Sequence, residues 1–288
     1  MATATSPGRA PAGATPARPG WAGRHPLAAF LLLCFGLTWA GLLPLAADSR
    51  GWLPFHLPAW LLLPLAGWGP GLAAFGVAAA TGRSRELLAR ITRWRLGLSW
   101  YALALVGPGA LYAVAIVLDT LLGGTPPRLP GLNPFLLVGV GLTLGLSLLA
   151  NGEEIGWRGF LLPRLLERCS PLDASLVVGI VSIAWHLPYF AWVGQPLAST
   201  PLSAFAVFTL AGSVVLTWLY SGAGRSVLPA LLLHAASTTW QALLPLAPGE
   251  TRPFELYAGL YALVALLLVV SGRVPTGGIA PDACQVAE

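Results

Sequence analysis

Eight long apolar runs constrain what this chain can fold into. The runs cover approximately residues 26–47, 58–81, 98–122, 133–151, 174–193, 202–221, 226–247 and 254–271. A helix needs about 20 residues to cross the ~30 Å hydrocarbon core of a bilayer. Only 9% of the 288 residues are charged, whereas an ordinary soluble domain devotes about a quarter of its residues to charge. We therefore predict an all-α, polytopic membrane protein with about eight transmembrane helices.

The positions of the basic residues predict the orientation of this bundle. All 16 are arginines, and with the N-terminus inside, 13 of them fall in cytoplasmic segments and three, Arg50, Arg128 and Arg252, in outer loops. Cytoplasmic loops of membrane proteins carry such an excess of positive charge. We expect a multi-pass protein of the plasma membrane with both termini cytoplasmic. Because the net charge of +5 reflects orientation and contact with anionic lipid headgroups, it requires no nucleic-acid partner.

The chain outside the apolar runs is short. Residues 1–24, rich in Ala, Pro, Gly and Thr, are predicted to be a disordered cytoplasmic tail, and so are residues 273–288. Residues 25–272 then form the membrane bundle. Arginine as the only basic residue type, together with abundant Ala, Leu, Gly and Pro, indicates a bacterial source with a GC-rich genome.

The segment N151-G-E-E-I-G-W-R-G-F160 places two carboxylates and a guanidinium at the end of the fourth run. An ionisable group in hydrocarbon costs at least about 2.5–3.5 kcal/mol on insertion scales, so such groups usually face a cavity and a partner. On a helix, Glu154 and Arg158 stand at positions i and i+4, with the glutamate in the favourable N-terminal position. Glu153 points about 100° away from them. We predict that Glu154 pairs with Arg158 and that Glu153 remains free to act as a base.

Two histidines, His186 and His234, lie inside the fifth and seventh runs. At a rise of about 1.5 Å per residue from the cytoplasmic ends of these runs, they lie ~18 Å and ~12 Å deep. Glu153 approaches a similar level from the fourth run. Two imidazoles and a carboxylate at one depth are typical of a metal site, or of a glutamate base with imidazoles directed at an oxyanion. Each histidine alone is also compatible with a structural hydrogen bond, but jointly the three residues favour function.

Taken in order, E153-E-x-x-x-R158, W185-H186-L-P188 and H234-x-x-x-T238 resemble the three motifs of the CPBP family of intramembrane proteases. This family includes CAAX prenyl endopeptidases of the Rce1 type, bacteriocin-processing enzymes and Abi-type immunity proteins. The resemblance covers about residues 130–250, which makes this range the expected catalytic core. It implies that Glu154 and Arg158 support the site.

The resemblance also implies an eight-helix bundle around a cavity open to the cytosol. It implies that Glu153 activates the attacking water and that His186 contributes to the same centre. His234 and Thr238 would bind a metal ion or stabilise the oxyanion. One divalent metal ion, zinc, held by Glu153, His186 and His234, is one option, and a metal-free glutamate mechanism is the other.

Two positions depart from the family pattern. An aromatic residue often stands four positions before the second-motif histidine, where this chain has Ser182. The third motif usually ends in Asn or Asp, where this chain has Thr238. A threonine hydroxyl can donate a hydrogen bond to an oxyanion, but it is a poorer metal ligand at neutral pH than a carboxylate. Thr239 or Gln241 could replace it only through a local rotation of the helix.

These observations lead to two hypotheses. The first is hydrolysis of a peptide bond in a membrane-associated peptide or protein that enters from the cytoplasmic side. The alternative is a non-catalytic immunity or scaffold protein that binds peptides in the same cavity. The first hypothesis predicts that the effect of the protein on the cell is lost when Glu153 and His234 are replaced. The alternative predicts that this effect is kept.

Overall fold

The computed structural model describes residues 20–126, 134–244 and 249–277, and the regular elements in these ranges are helical. The helices are α1 (Trp21–Arg24), α2 (Pro26–Ser49), α3 (Ala59–Ala80), α4 (Ser84–Ile91), α5 (Leu98–Leu121), α6 (Pro134–Ala150), α7 (Glu153–Gly156), α8 (Leu162–Leu165), α9 (Pro171–Ala191), α10 (Leu202–Gly222), α11 (Leu228–Leu243) and α12 (Arg252–Val270). The all-α fold predicted from the apolar runs is confirmed.

Six of the described helices, α2, α3, α5, α9, α10 and α12, are long and apolar enough to span a membrane. There are seven spans if α6 and the segment that follows it, bent by 43° at the break between them, are counted as one. The predicted run 226–247 contains α11, which has only 16 residues, fewer than the about 20 that a full crossing needs. The polytopic fold is thus confirmed, and the count of eight spans stays a prediction.

The fourth apolar run ends in a break. α6 ends at Ala150, Asn151 and Gly152 are not helical, and the helix resumes at Glu153. The resumed segment contains α7, a π-helical turn over Trp157–Leu161, and α8. Single π-helical turns inside helices are often found at functional sites. Because Glu153 is the first residue of the resumed segment, the break places this carboxylate inside the bundle.

Glycines allow α3 to approach this break closely. A Cβ atom on Gly71 of α3 would lie 2.9 Å from the carbonyl oxygen of Gly152. A Cβ atom on Gly156 would lie 2.5 Å from the Cβ of Pro70, also in α3. Small residues permit such close backbone packing between membrane helices. Backbone contact with α3 therefore fixes the position of the break and of Glu153 beside it.

We expect Gly156→Ala to destabilise the protein by about 1–3 kcal/mol, because the added methyl group overpacks the contact with α3. It should also reduce any activity that depends on Glu153. Gly76→Ala is the matched control, because a Cβ on this exposed glycine of α3 meets no atom within 4 Å. Unfolding of the purified proteins in detergent measures the stability of both variants, and cleavage of a peptide substrate measures their activity. Equal stability of Gly156→Ala and Gly76→Ala would refute the close packing.

The two predicted tails lie largely outside the described residues. Within the first, residues 21–24 form α1, and residues 1–19 are outside the described ranges. Within the second, residues 273–277 are described and Val274 is buried, while residues 278–288 lie outside. The domain boundaries at residues 24 and 273 stay predictions.

Candidate active site

Glu154 and Arg158 form the ion pair that their spacing predicts. Arg158 Nη1 lies 2.9 Å and 3.1 Å from the two carboxylate oxygens, and only 2% of the Glu154 side chain and 5% of the Arg158 side chain are exposed. Arg158 Nη2 donates to the hydroxyl of Ser213 in α10 at 3.3 Å. Ser213 in turn donates to the backbone carbonyl of Ser175 in α9 at 2.8 Å. The pair therefore connects the resumed segment to two neighbouring helices.

His234 contacts Glu154, the ion-paired glutamate. The sequence had indicated a position close to Glu153 instead. The Nδ1 of His234 lies 3.1 Å from Oε1 of Glu154. Because the ion-paired carboxylate can only accept hydrogen bonds, we assign the Nδ1 proton to His234. In the neutral ring, Nε2 then carries a lone pair and is left for another partner. Glu154 thus holds both Arg158 and His234.

His186 is fixed in a similar way by its own helix. Its Nδ1 donates to the backbone carbonyl of Ser182 at 2.8 Å, so Nε2 of the neutral ring also carries the lone pair. This Nε2 lies 3.8 Å from Oε2 of Glu153. The Phe205 ring of α10 packs against the imidazole, with ring centroids 5.0 Å apart. Hydrogen bonds at Nδ1 therefore set the tautomer of both histidines.

The four predicted catalytic residues meet at one cavity. Glu153, His186, His234 and Thr238 border a cavity of about 150 Å³, although they come from three helices, α7, α9 and α11. Glu154 and Arg158 border the same cavity. Glu153, His186 and His234, which the sequence placed at a similar depth, therefore lie around the same space, and their catalytic roles stay a prediction.

A larger cavity of about 610 Å³ reaches the same residues from between α3 and α6. It borders Glu153, His234 and Thr238, and its other wall residues are mainly apolar, including Trp60, Leu63, Pro64, Trp68, Leu146 and Leu149. Trp68 connects the two helices by donating its indole N–H to the Leu149 carbonyl at 2.7 Å. Trp60 and Leu146 are exposed on the outer surface of these two apolar helices, so the cavity lies beside an apolar surface of the protein. An opening to the cytosol stays a prediction.

Thr238 reaches both cavities, but its hydroxyl already has an acceptor. Oγ1 donates to the backbone carbonyl of His234 at 3.2 Å. In this rotamer the hydroxyl offers the cavity a lone pair and not a proton, and its role as an oxyanion donor stays a prediction. Gln241 also borders the smaller cavity, and its amide donates to the Ser237 carbonyl at 3.1 Å. Thr239 is buried and donates to its own helix.

The predicted metal ligands provide suitable donor atoms but are not gathered into a coordination shell. A histidine whose second nitrogen bonds a carbonyl or carboxylate is typical of metal-ligating imidazoles, and His186 and His234 both show this arrangement. In the described ranges, however, no group of three or more His, Cys, Asp or Glu side chains lies close enough to hold a metal ion. A zinc site at Glu153, His186 and His234 stays a prediction.

Three contributors to the site were not identified from the sequence. Phe205 and Ser213 belong to α10, whose apolar run carries no motif. The polar residue Ser213 within this apolar run was a weak signal of a contact inside the bundle. Asn151 lies at the break, is 6% exposed and borders the larger cavity. Within the described part of the chain, neither its amide nitrogen nor its amide oxygen has a hydrogen-bond partner. Its polar position before the two glutamates was visible in the sequence.

Comparison with known proteins finds a family match that covers the site. Residues 132–240 match the family described as type II CAAX prenyl endopeptidase, Rce1-like. The resemblance to the CPBP proteases is confirmed. The matched range contains the break, both site histidines and Thr238.

A curated relative, CAAX prenyl protease 2 of Methanococcus maripaludis, is 27% identical to this chain over 139 residues. The aligned residues make up 43% of this chain and 47% of the relative, so the chain spans about half the length of the curated relative that it matches.

Proposed function

We propose that this protein is an intramembrane endopeptidase that hydrolyses a peptide bond in a membrane-associated peptide or protein. The observation that carries the proposal is the convergence of Glu153, His186 and His234 on one cavity. The match to the Rce1-like family and the name of the curated relative, a CAAX prenyl protease, support the reaction class. Placement in the plasma membrane with both termini cytoplasmic is part of the proposal, and the arginine distribution supports it.

In the proposed mechanism, Glu153 is the general base. Its Oε2 lies 3.8 Å from His186 Nε2, a separation that one water molecule can bridge through hydrogen bonds to both groups. Glu153 takes a proton from this water as the water oxygen attacks the carbonyl carbon of the peptide bond. The C–N bond then breaks, and the proton passes from Glu153 to the departing amine nitrogen.

His234 is the group proposed to stabilise the oxyanion in a metal-free reaction. A neutral ring would present only a lone pair at Nε2, so the imidazolium is the form that can donate there. The Glu154 carboxylate, 3.1 Å from Nδ1, stabilises this imidazolium, as a buried carboxylate does for a catalytic histidine in other hydrolases. The Nε2–H can then donate to the negative charge that develops on the carbonyl oxygen.

We propose that the substrate reaches Glu153 along the larger cavity. The walls that α3 and α6 contribute are mainly apolar, and exposed Trp60 and Leu146 flank the gap between these helices. An apolar peptide segment or an attached hydrophobic group would occupy such a gap better than a hydrated soluble chain, because burial of apolar surface is favourable. This lining supports a substrate that already resides in the membrane.

One observation favours the non-catalytic alternative. The hydroxyl of Thr238 is bonded to the backbone of its own helix, so the third motif contributes no donor beyond His234. A protein with an incomplete catalytic set could still bind peptides in the same cavity, as an immunity or scaffold protein would. The same variants test both functions.

The test compares peptide termini of membrane-associated proteins in cells that express the wild type, Glu153→Gln, His186→Ala or His234→Ala at matched protein levels. We expect a set of new termini with the wild type that is absent with all three variants. A phenotype that persists in the variants, with the same termini in every strain, would support the binding protein instead.

A further inference from the structure

Beside the polar residues of the site, the smaller cavity also borders small and apolar residues of α9 and α10. Here its walls include Ser182, Phe205, Phe208, Gly212 and Leu216. We refer to the space bordered by these five residues as the side pocket. Because the side pocket is continuous with the space next to Glu153 and His186, a group bound at the site could extend into it.

Gly212 keeps the side pocket open on the α10 side. This glycine is buried within the bundle, yet a Cβ atom built on it would meet no other atom within 4 Å. By contrast, a Cβ on the buried Gly179 of α9 would lie 3.0 Å from the Leu210 side chain. Interiors of proteins are close-packed, so open space beside a buried glycine marks a void and not ordinary packing.

Ser182 keeps the side pocket open on the α9 side. It is 7% exposed and stands one helical turn before His186, so both side chains lie on the same face of α9. Its backbone carbonyl accepts the hydrogen bond from His186, whereas its small side chain borders the cavity. A bulky side chain at this position would fill the space next to the imidazole.

The volume of the smaller cavity sets an upper limit on what the side pocket, which is one part of it, can hold. The whole smaller cavity measures about 150 Å³, and an apolar cavity of about this size binds a single benzene ring in an engineered protein. Phe205, Phe208 and Leu216 form part of its wall. We propose that the side pocket binds one apolar side chain of the substrate, up to the size of a phenyl ring, next to the scissile peptide bond. This inference rests on the proposed function and adds a determinant of specificity to it.

The experiment measures peptide preference in the wild type, Gly212→Leu and Ser182→Phe. Gly259→Leu is the matched control, because Gly259 lies on the exposed face of α12 and a Cβ there meets no atom within 4 Å. The substrates are dye-labelled decapeptides of one fixed polar sequence in which a single position is Ala, Leu or Phe. A set of such peptides places the varied residue at each position of the decapeptide in turn. Fluorescence anisotropy measures binding to the protein in lipid nanodiscs, and mass spectrometry measures cleavage.

We expect one position at which the wild type and Gly259→Leu bind the Phe peptide about 10-fold or more tightly than the Ala peptide. Gly212→Leu and Ser182→Phe should lose this preference, because their added side chains occupy the pocket. Equal binding of the Ala and Phe peptides by the wild type at every position would contradict the proposal that the side pocket binds a substrate side chain. A preference that persists in whichever of the two variants folds would also overturn it.

Binding and cleavage separate this inference from the proposed function. Suppose that the wild type prefers Phe in binding, that Gly212→Leu removes this preference, and that no peptide is cleaved. This result would contradict the endopeptidase activity and support side-chain binding in the side pocket. Cleavage without a side-chain preference would retain the endopeptidase and contradict the side pocket.

Discussion

Arg158→Ala is expected to destabilise the folded protein by about 3–5 kcal/mol, because it leaves a buried carboxylate without its partner. The Glu154 side chain is only 2% exposed, and Arg158 Nη1 contacts both of its oxygens. The amount of folded protein in membranes and its unfolding in detergent measure the effect. Arg168→Ala, which removes an exposed arginine outside the helices, is the matched control and should behave as the wild type.

A double substitution separates the stability of this pair from its function. Replacing a buried ion pair by apolar residues of similar volume is often neutral or stabilising, so Glu154→Leu with Arg158→Leu should be more stable than Arg158→Ala. The double variant should nevertheless be inactive, because His234 loses the carboxylate that contacts its Nδ1. If Arg158→Ala were as stable as Arg168→Ala, the ion pair would not hold the helices together.

Glu153→Gln is expected to lower kcat/KM by about 100- to 10,000-fold, the usual contribution of a general base. Its folding should be unchanged, because glutamine has nearly the same shape and the contact between Glu153 and His186 is long, at 3.8 Å. Glu167→Gln is the control, because Glu167 is exposed and lies beyond α8. The measurement uses a purified peptide substrate with the protein in nanodiscs. Wild-type activity of Glu153→Gln would exclude Glu153 as the base.

Most of the helical architecture could be predicted from hydropathy, because each apolar run must satisfy its backbone hydrogen bonds within a helix when it enters hydrocarbon. The number of full crossings could not. The run at 133–151 carries no charged residue, so its composition does not show the 43° bend. Likewise, the run at 226–247 is apolar for longer than the 16 residues that α11 occupies.

The site shows the same division between local and distant information. The contact between Glu154 and Arg158 follows from i, i+4 spacing within one helical segment, and the sequence predicts it correctly. The partner of His234 depends on how α7 and α11 are rotated about their axes, which the linear sequence does not determine. Its contact is therefore with Glu154 and not with Glu153. Similarly, Phe205 and Ser213 reach the site from a helix without a motif.

The central claim is that Glu153 activates a water molecule and does not itself attack the peptide bond. Single-turnover cleavage in water enriched in ¹⁸O, followed by mass spectrometry of the product and of the protein, tests this claim most directly. We predict one ¹⁸O atom in the new carboxyl terminus of the product and none in the enzyme fragment that contains Glu153. Incorporation of ¹⁸O into the Glu153 side chain would reveal a covalent intermediate and contradict the account.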